Sequence, residues 1–200
     1  MASGVVATAW VRRYLRAYLR PLVHCLLAHD VVFMPHGENI VMVLDGHVPT
    51  RVFMKDIGEE VAVLGDLPLP AEVERIRAST PDDVKALGIL SDVYDGFLRD
   101  LAAILETDRV LSGCDFWGLV ADTVAEHAAD HPELAAAAAS YDLGQAEFRN
   151  CCLNRLQLRN TLQMVDLADQ AASLMFAGTL RNPAAAPSGS PGSPRYVGSV

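Results

Sequence analysis

Two β-rich runs, 39–44 and 48–54, lie on either side of the dipeptide Asp45-Gly46. Because Asp-Gly readily adopts the positive φ angles of a tight reversing turn, this pattern predicts an antiparallel β-hairpin. It is the only segment of the chain whose pattern is clearly β. A hairpin brings its two outer ends together, so the residues just before the first run should face those just after the second.

The rest of the chain has the periodicity of helices. An amphipathic helix is expected at 5–28, where Pro21 should kink or divide it and where the arginines are expected to be solvated surface. Asp115 is expected to cap the helix that begins there. Further helices are predicted at 71–78, 84–105, 115–129, 132–140 and 145–175, the last with a break, after a loop at 57–70. The prediction is an α+β fold, mostly helical, with a β-hairpin near the N-terminus.

Composition sets the broad class. Two hundred residues, 51% of them hydrophobic, are enough for one well-buried domain, which we expect at 1–182, before a disordered Pro/Ser/Gly-rich tail at 183–200. The net charge of −9 argues against a nucleic-acid partner. Arginines interrupt the apolar N-terminal stretch, so neither a signal peptide nor a membrane partner is expected. The four cysteines lack the spacing of a zinc site or a disulfide framework, which favours a cytoplasmic protein.

Residues with the chemistry of a nucleotide site lie at the two outer ends of the hairpin. His36, Glu38 and Asn39 come before or at its start, and Lys55 and Asp56 follow its end. The carboxylates of Glu38 and Asp56, with the amide of Asn39, offer the hard oxygen ligands that Mg²⁺ takes beside phosphate. His36 and Lys55 could donate to phosphate oxygens or to the charge that develops on a leaving pyrophosphate. This constellation is therefore a candidate site for ATP and magnesium.

Each of these residues also has a simpler interpretation. A histidine between proline and glycine is more often a turn residue, and a Lys-Asp pair is more often a surface ion pair. Small-molecule kinases hold magnesium and phosphate with similar residues around a hairpin, although no GxxxxGK loop occurs here to support that alternative. The residues alone leave these alternatives open.

Two segments carry a resemblance to a known family. Segment 29–39 reads His-Asp-Val-Val-Phe-Met-Pro-His-Gly-Glu-Asn, and segment 51–60 reads Arg-Val-Phe-Met-Lys-Asp-Ile-Gly-Glu-Glu. Both resemble the signature of NRPS-independent siderophore synthetases, above all the subgroup that oligomerises or cyclises hydroxamates, as in desferrioxamine and alcaligin synthesis. The helix at 10–22 is also similar to the family, and segment 152–183 looks like its closing helices.

The resemblance implies a cupped-hand ligase of which this chain supplies the C-terminal palm. A substrate carboxylate would attack the α-phosphate of ATP, giving an acyl-adenylate and pyrophosphate, and an amine or hydroxylamine would then displace AMP. By the same resemblance, His36 and Asn39 would contact the nucleotide phosphates. Asp56 would meet ATP and its magnesium, while Glu38 occupies a position where glutamate is usual in the subgroup.

The sequence departs from the family in two respects. The N-terminal thumb and finger regions of the family are not found in it, and Asn154 stands where relatives commonly have lysine. Arg159 remains as an implied contact for an anionic substrate, with Arg155 as a substitute for the lost lysine. Two hypotheses stay open: a ligase region that needs an N-terminal synthetase half, and a catalytically silent helical binding module. A homodimer, as in many relatives, is also left open.

Overall fold

The computed structural model describes residues 4–33, 39–55, 57, 61–78, 80–151 and 176–185. Its α-helices are α1 (Ala7–His29), α2 (Asp82–Lys85), α3 (Leu87–Ile89), α4 (Arg99–Thr107), α5 (Gly113–Asp130) and α6 (Ala135–Tyr141). Its strands are β1 (Val31–Phe33), β2 (Ile40–Asp45), β3 (Val48–Met54), β4 (Val61–Val63), β5 (Glu147–Cys151) and β6 (Phe176–Arg181). The fold is therefore mixed α and β, as the sequence predicts. None of the helices in these ranges combines the length and hydropathy that crossing a membrane requires.

Helix α1 lies at the centre of the hydrophobic core. Leu15, Leu19, Val23 and Leu26 recur on one of its faces and are 0% exposed. They belong to one cluster with side chains of the later helices, among them Leu90, Val93, Leu98, Phe116 and Val120. Because burial of a leucine side chain contributes about 1.5–3 kcal/mol, this face supplies much of the stability.

Pro21 does not divide this helix. It lies inside one continuous α-helix, with its ring on the exposed side. The expected division is wrong because buried residues precede and follow Pro21 on the same face, so packing outweighs the one backbone donor that proline lacks.

The arginines of α1 are not simply solvated surface. Arg12 contacts Asp122 and Glu126 at 2.9 Å each, and Arg16 contacts Glu126 at 2.8 Å. One turn further along, Arg20 contacts Asp130 at 2.6 Å. Because the residue numbers of the paired groups rise together, α1 and α5 run parallel, joined by a ladder of ion pairs.

The hairpin is confirmed. Strands β2 and β3 pair antiparallel, with Ile40 opposite Met54 at the outer end. The turn is one residue later than expected, because the positive φ angles belong to Gly46 (53°) and His47 (67°) rather than to Asp45. Two central residues with positive φ make a type I′ turn, whose twist matches the flanking strands.

This hairpin is not the only β structure. Strand β1 pairs antiparallel with β4, which lies inside the stretch expected to be loop, and β5 pairs antiparallel with β6. The predicted helix at 145–175 is therefore wrong at 147–151, and the expected closing helix is wrong at 176–181. Each pairing joins segments far apart in sequence, which local periodicity does not reveal. Residues 152–175 and 186–200 lie outside the described residues, so the predicted tail stays a prediction beyond residue 185.

The helices between 71 and 141 differ from the expected ones in detail. A 3₁₀ helix spans Ala71–Ile76, and a π-helical segment, Leu90–Leu98, interrupts the long helix predicted at 84–105. A second 3₁₀ turn, Pro132–Leu134, precedes α6. Over such short segments, 3₁₀, α and π helices place apolar residues at similar intervals, so the apolar pattern of the sequence does not distinguish them.

The N-cap of α5 is Ser112, not Asp115. The backbone N–H of Asp115 donates to the Ser112 hydroxyl at 3.1 Å, and that hydroxyl donates to the Asp115 carboxylate at 2.7 Å. An N-cap side chain accepts a hydrogen bond from the third residue of its helix, so Asp115 is that third residue and Gly113 is the first. The helix therefore begins two residues before the predicted start at 115.

Candidate functional site

The outer end of the hairpin is closed as the sequence predicts. The backbone N–H of Lys55 donates to the Asn39 carbonyl at 3.0 Å, continuing the ladder beyond Ile40 and Met54. Asn39 is only 5% exposed, whereas Lys55 is exposed. The structure thus brings together two of the predicted nucleotide-binding residues, one buried amide and one exposed ammonium.

The other predicted site residues lie outside the described residues. These are His36, Glu38, Asp56, Arg155 and Arg159. In the sequence, Glu38 directly precedes Asn39 and Asp56 directly follows Lys55. Their roles as phosphate, magnesium or substrate contacts stay predictions.

The far end of the hairpin is held against α1. The indole N–H of Trp10 donates to the His47 carbonyl in the turn at 2.9 Å. Next to the outer pair of the hairpin, Val41 lies opposite Phe53, and these residues are 51% and 56% exposed. The guanidinium of Arg51 lies 5.2 Å from the centre of the Phe53 ring. One face of the ribbon therefore presents apolar side chains to solvent.

Three histidines meet where the ion-pair ladder between α1 and α5 ends. His24 Nδ1 lies 3.1 Å from His127 Nε2, and the ring of His131 lies 4.6 Å and 4.7 Å from the rings of His127 and His24. His131 Nδ1 lies 2.9 Å from a carboxylate oxygen of Glu133. This group, which we call the histidine cluster (His24, His127 and His131), is not among the site residues predicted from the sequence. The spacing of four residues between His127 and His131 was the available signal, but no local pattern places His24 beside them.

The electrostatics of the histidine cluster favour neutral imidazole at its centre. His127 is 1% exposed, and burial, followed by the nearby charges of His131, His24 and Arg20, lowers its pKa to about 4. The hydrogen bond from Arg20 lowers the pKa of Asp130, and that from His131 lowers the pKa of Glu133. The surroundings therefore consist of ionised carboxylates and arginines arranged around a buried neutral ring.

Comparisons with known proteins identify the family. The family model described as "Ferric iron reductase FhuF-like transporter" matches residues 8–166. The putrebactin synthase of Shewanella sp. (strain MR-4) is 51% identical over 185 residues, which are 92% of this chain and 29% of that protein. The chain thus spans less than a third of this curated relative.

Solved structures show the same fold. The aerobactin synthetase IucC of Klebsiella pneumoniae is 25% identical, with a TM-score of 0.67 over 72% of this chain and 28% of that one. The ATP-bound aerobactin synthetase IucA of the same organism is 16% identical, with a TM-score of 0.62 over 90% of this chain and 30% of that one. The chain therefore belongs to the family of NRPS-independent siderophore synthetases, through the FhuF-like region that the family model matches.

Proposed function

We propose that this chain is the nucleotide-holding part of a siderophore synthetase that uses ATP to join a carboxylate to an amine or hydroxylamine. The closed outer end of the hairpin carries the proposal, because it joins Asn39 to Lys55 in a chain 51% identical to putrebactin synthase. A neighbour of the same fold has ATP bound, which supports a nucleotide as the ligand. Because ATP is an intracellular substrate, we place the activity in the cytoplasm.

The closed end suits a triphosphate for electrostatic reasons. Lys55 carries an exposed, positively charged side chain at the strand end where its backbone N–H donates to the Asn39 carbonyl, and His36 precedes Asn39 by three residues. Donors fixed before the reaction stabilise charge that develops on phosphate oxygens without further reorganisation. Asn39 and His36 would hold the phosphates, and Lys55 would stabilise the leaving pyrophosphate.

The donor set also fits magnesium. Glu38 and Asp56 are carboxylates that directly flank the paired residues Asn39 and Lys55 in the sequence, and Mg²⁺ prefers such hard oxygen ligands. When bound, the ion would neutralise charge on the phosphate oxygens. Glu38 and Asp56 would hold it.

The chemistry requires no nucleophile from the protein. The substrate carboxylate attacks the α-phosphate, pyrophosphate leaves, and an amine or hydroxylamine displaces AMP from the acyl-adenylate. Arg155 and Arg159 would bind the anionic substrate, since guanidinium groups pair bidentately with carboxylates. The protein contributes orientation and charge stabilisation, which act on the transition state more than on the ground state.

Activity would require the rest of a synthetase. The chain spans 29% of putrebactin synthase, so we infer that an N-terminal synthetase half completes the site and that a homodimer is a further candidate assembly. The alternative, a catalytically silent helical module, predicts that no added half restores activity.

Reconstitution separates these two proposals. The chain is mixed with Mg²⁺-ATP, a carboxylate precursor and a hydroxylamine, with and without the N-terminal portion of the putrebactin synthase that is 51% identical to it, and AMP release is measured. We expect little AMP from the chain alone and substrate-dependent AMP release from the mixture. A mixture that releases no AMP, although the two parts co-elute, would favour the silent module.

A further inference from the structure

We propose that His24, His127 and His131 bind one divalent transition-metal ion of the Zn²⁺ class, which cross-links α1 to α5. This histidine cluster lies in the α1–α5 interface and shares no residue with the hairpin end. It is therefore independent of the proposed nucleotide site.

The three imidazole rings are close enough to bind one metal ion after only small side-chain movements. One ring nitrogen from each histidine lies within 4.8 Å of the others, and the closest pair is 3.1 Å apart. With Zn–N bonds of about 2.0–2.1 Å, two nitrogens on a tetrahedral ion are about 3.4 Å apart. Side-chain rotations that move the nitrogens by about 1 Å would bring all three onto one ion.

Glu133 orients one of the ligands. A carboxylate only accepts hydrogen bonds, so His131 Nδ1 must carry the proton that it shares with Glu133 at 2.9 Å. The lone pair of His131 then lies on Nε2, the nitrogen left for a metal. Metal-bound histidines almost always donate their second nitrogen to a carboxylate, a carbonyl or water in this manner.

His127 is buried between the other two histidines of the cluster. The ring is 1% exposed, and its Nδ1 has no hydrogen-bond partner among the described residues. The rival arrangement is a plain hydrogen bond from His127 Nε2 to His24 Nδ1, without an ion. That arrangement engages only His24 and His127, whereas an ion engages all three rings, including the one that Glu133 orients.

The surrounding charges permit a cation. Arg16 and Arg20 line the pocket beside the histidine cluster, but Arg16 is paired with Glu126 at 2.8 Å and Arg20 with Asp130 at 2.6 Å. Glu133 adds a further negative charge close to His131. The arginine charges are therefore compensated before an ion arrives.

A fourth coordination position would face solvent. The histidine cluster opens into a surface pocket of about 390 Å³. Three protein ligands and one open position are the arrangement in which zinc keeps a water or an exogenous ligand. Imidazole nitrogen also suits Ni²⁺, Co²⁺ and Cu²⁺, so the proposal concerns this class of ions, with Zn²⁺ as the probe.

The test is titration of the full chain, freed of any polyhistidine tag and of metal by a chelator, with Zn²⁺ and then with Co²⁺. We expect one Zn²⁺ per chain by calorimetry, a visible Co²⁺ absorption spectrum typical of nitrogen ligands, and a rise in melting temperature with Zn²⁺, because an ion that binds only the folded state stabilises it. His24→Gln and His131→Gln, both partly buried positions, should each weaken Zn²⁺ binding at least tenfold. Glu133→Gln, which removes only the orienting carboxylate, should weaken it about tenfold.

His47→Gln is the matched control, since it also removes one histidine but lies in the hairpin turn next to Trp10, at the opposite end of α1 from His24. It should leave Zn²⁺ affinity unchanged. Circular dichroism of each metal-free variant shows whether it is folded, and His24→Gln and His131→Gln give two independent chances of a folded variant. No Zn²⁺ binding by the wild-type chain, or equal affinity in His24→Gln, His131→Gln and His47→Gln, would overturn the proposal.

Discussion

The hairpin and the α1–α5 pair are assembled in opposite ways. The hairpin pairs residues that are at most 16 positions apart, from Asn39 to Lys55, and leaves Val41 and Phe53 more than half exposed. The α1–α5 pair joins residues 110 positions apart, such as Arg12 and Asp122, and contributes many of the buried residues of the core. The comparison indicates that long-range packing of the helices holds the fold, while the hairpin packs one face on the core and leaves the other face exposed.

The largest expected effect is in the helical core. Leu19→Ala removes a side chain that is 0% exposed and should lower the free energy of unfolding by about 2–5 kcal/mol, since it loses burial and leaves a cavity. Urea denaturation monitored by circular dichroism measures the change. Val41→Ala on the exposed face of the hairpin is the matched control and should cost less than about 0.5 kcal/mol. A similar loss in the free energy of unfolding for both variants would contradict the claim that the helices, and not the exposed face of the hairpin, hold the fold.

A smaller effect is expected in the ion-pair ladder. Glu126→Gln removes a carboxylate that contacts both Arg12 and Arg16, so the free energy of unfolding should fall by about 1 kcal/mol at low salt, and by less at 1 M salt because the charges are screened. Asp122→Asn, which removes a single, more exposed contact, should cost less. An effect of Glu126→Gln that does not diminish with salt would show that packing, not charge, joins these helices.

The same contrast explains what the sequence could predict. The hairpin was predicted because its signal, an Asp-Gly turn between two β-rich runs, is local. Even there the central turn residues are Gly46 and His47, since an Asp-Gly dipeptide does not specify which residues take positive φ.

Long-range features were missed for a common physical reason. Strand β1 pairs with β4, a strand of only three residues that lies 30 positions further along the chain, and the arginines of α1 meet carboxylates that no local pattern associates with them. The histidine cluster needs α1 and α5 to be packed in parallel before it exists. Such contacts are decided by tertiary packing, which single-sequence periodicity does not contain.

The candidate nucleotide site also has a part that the local sequence pattern predicts and a part that it does not. The backbone hydrogen bond between Lys55 and Asn39 confirms that these two residues lie side by side, as the predicted hairpin requires. The positions of His36, Glu38, Asp56, Arg155 and Arg159 depend on segments outside the described residues, and their assignment comes from the family resemblance.

The central claim, that the closed end of the hairpin holds the phosphates of ATP, is tested most directly by the affinity for Mg²⁺-ATP. His36→Ala and Asp56→Ala are compared by calorimetry with the wild-type chain and with His47→Asn at the opposite end of the ribbon, each with the N-terminal synthetase portion present. Because hydrogen bonds to charged groups contribute about 1.5–3 kcal/mol, we predict that each site variant binds about 10–100-fold more weakly. His47→Asn should bind normally, and unchanged affinity in both site variants would contradict the claim.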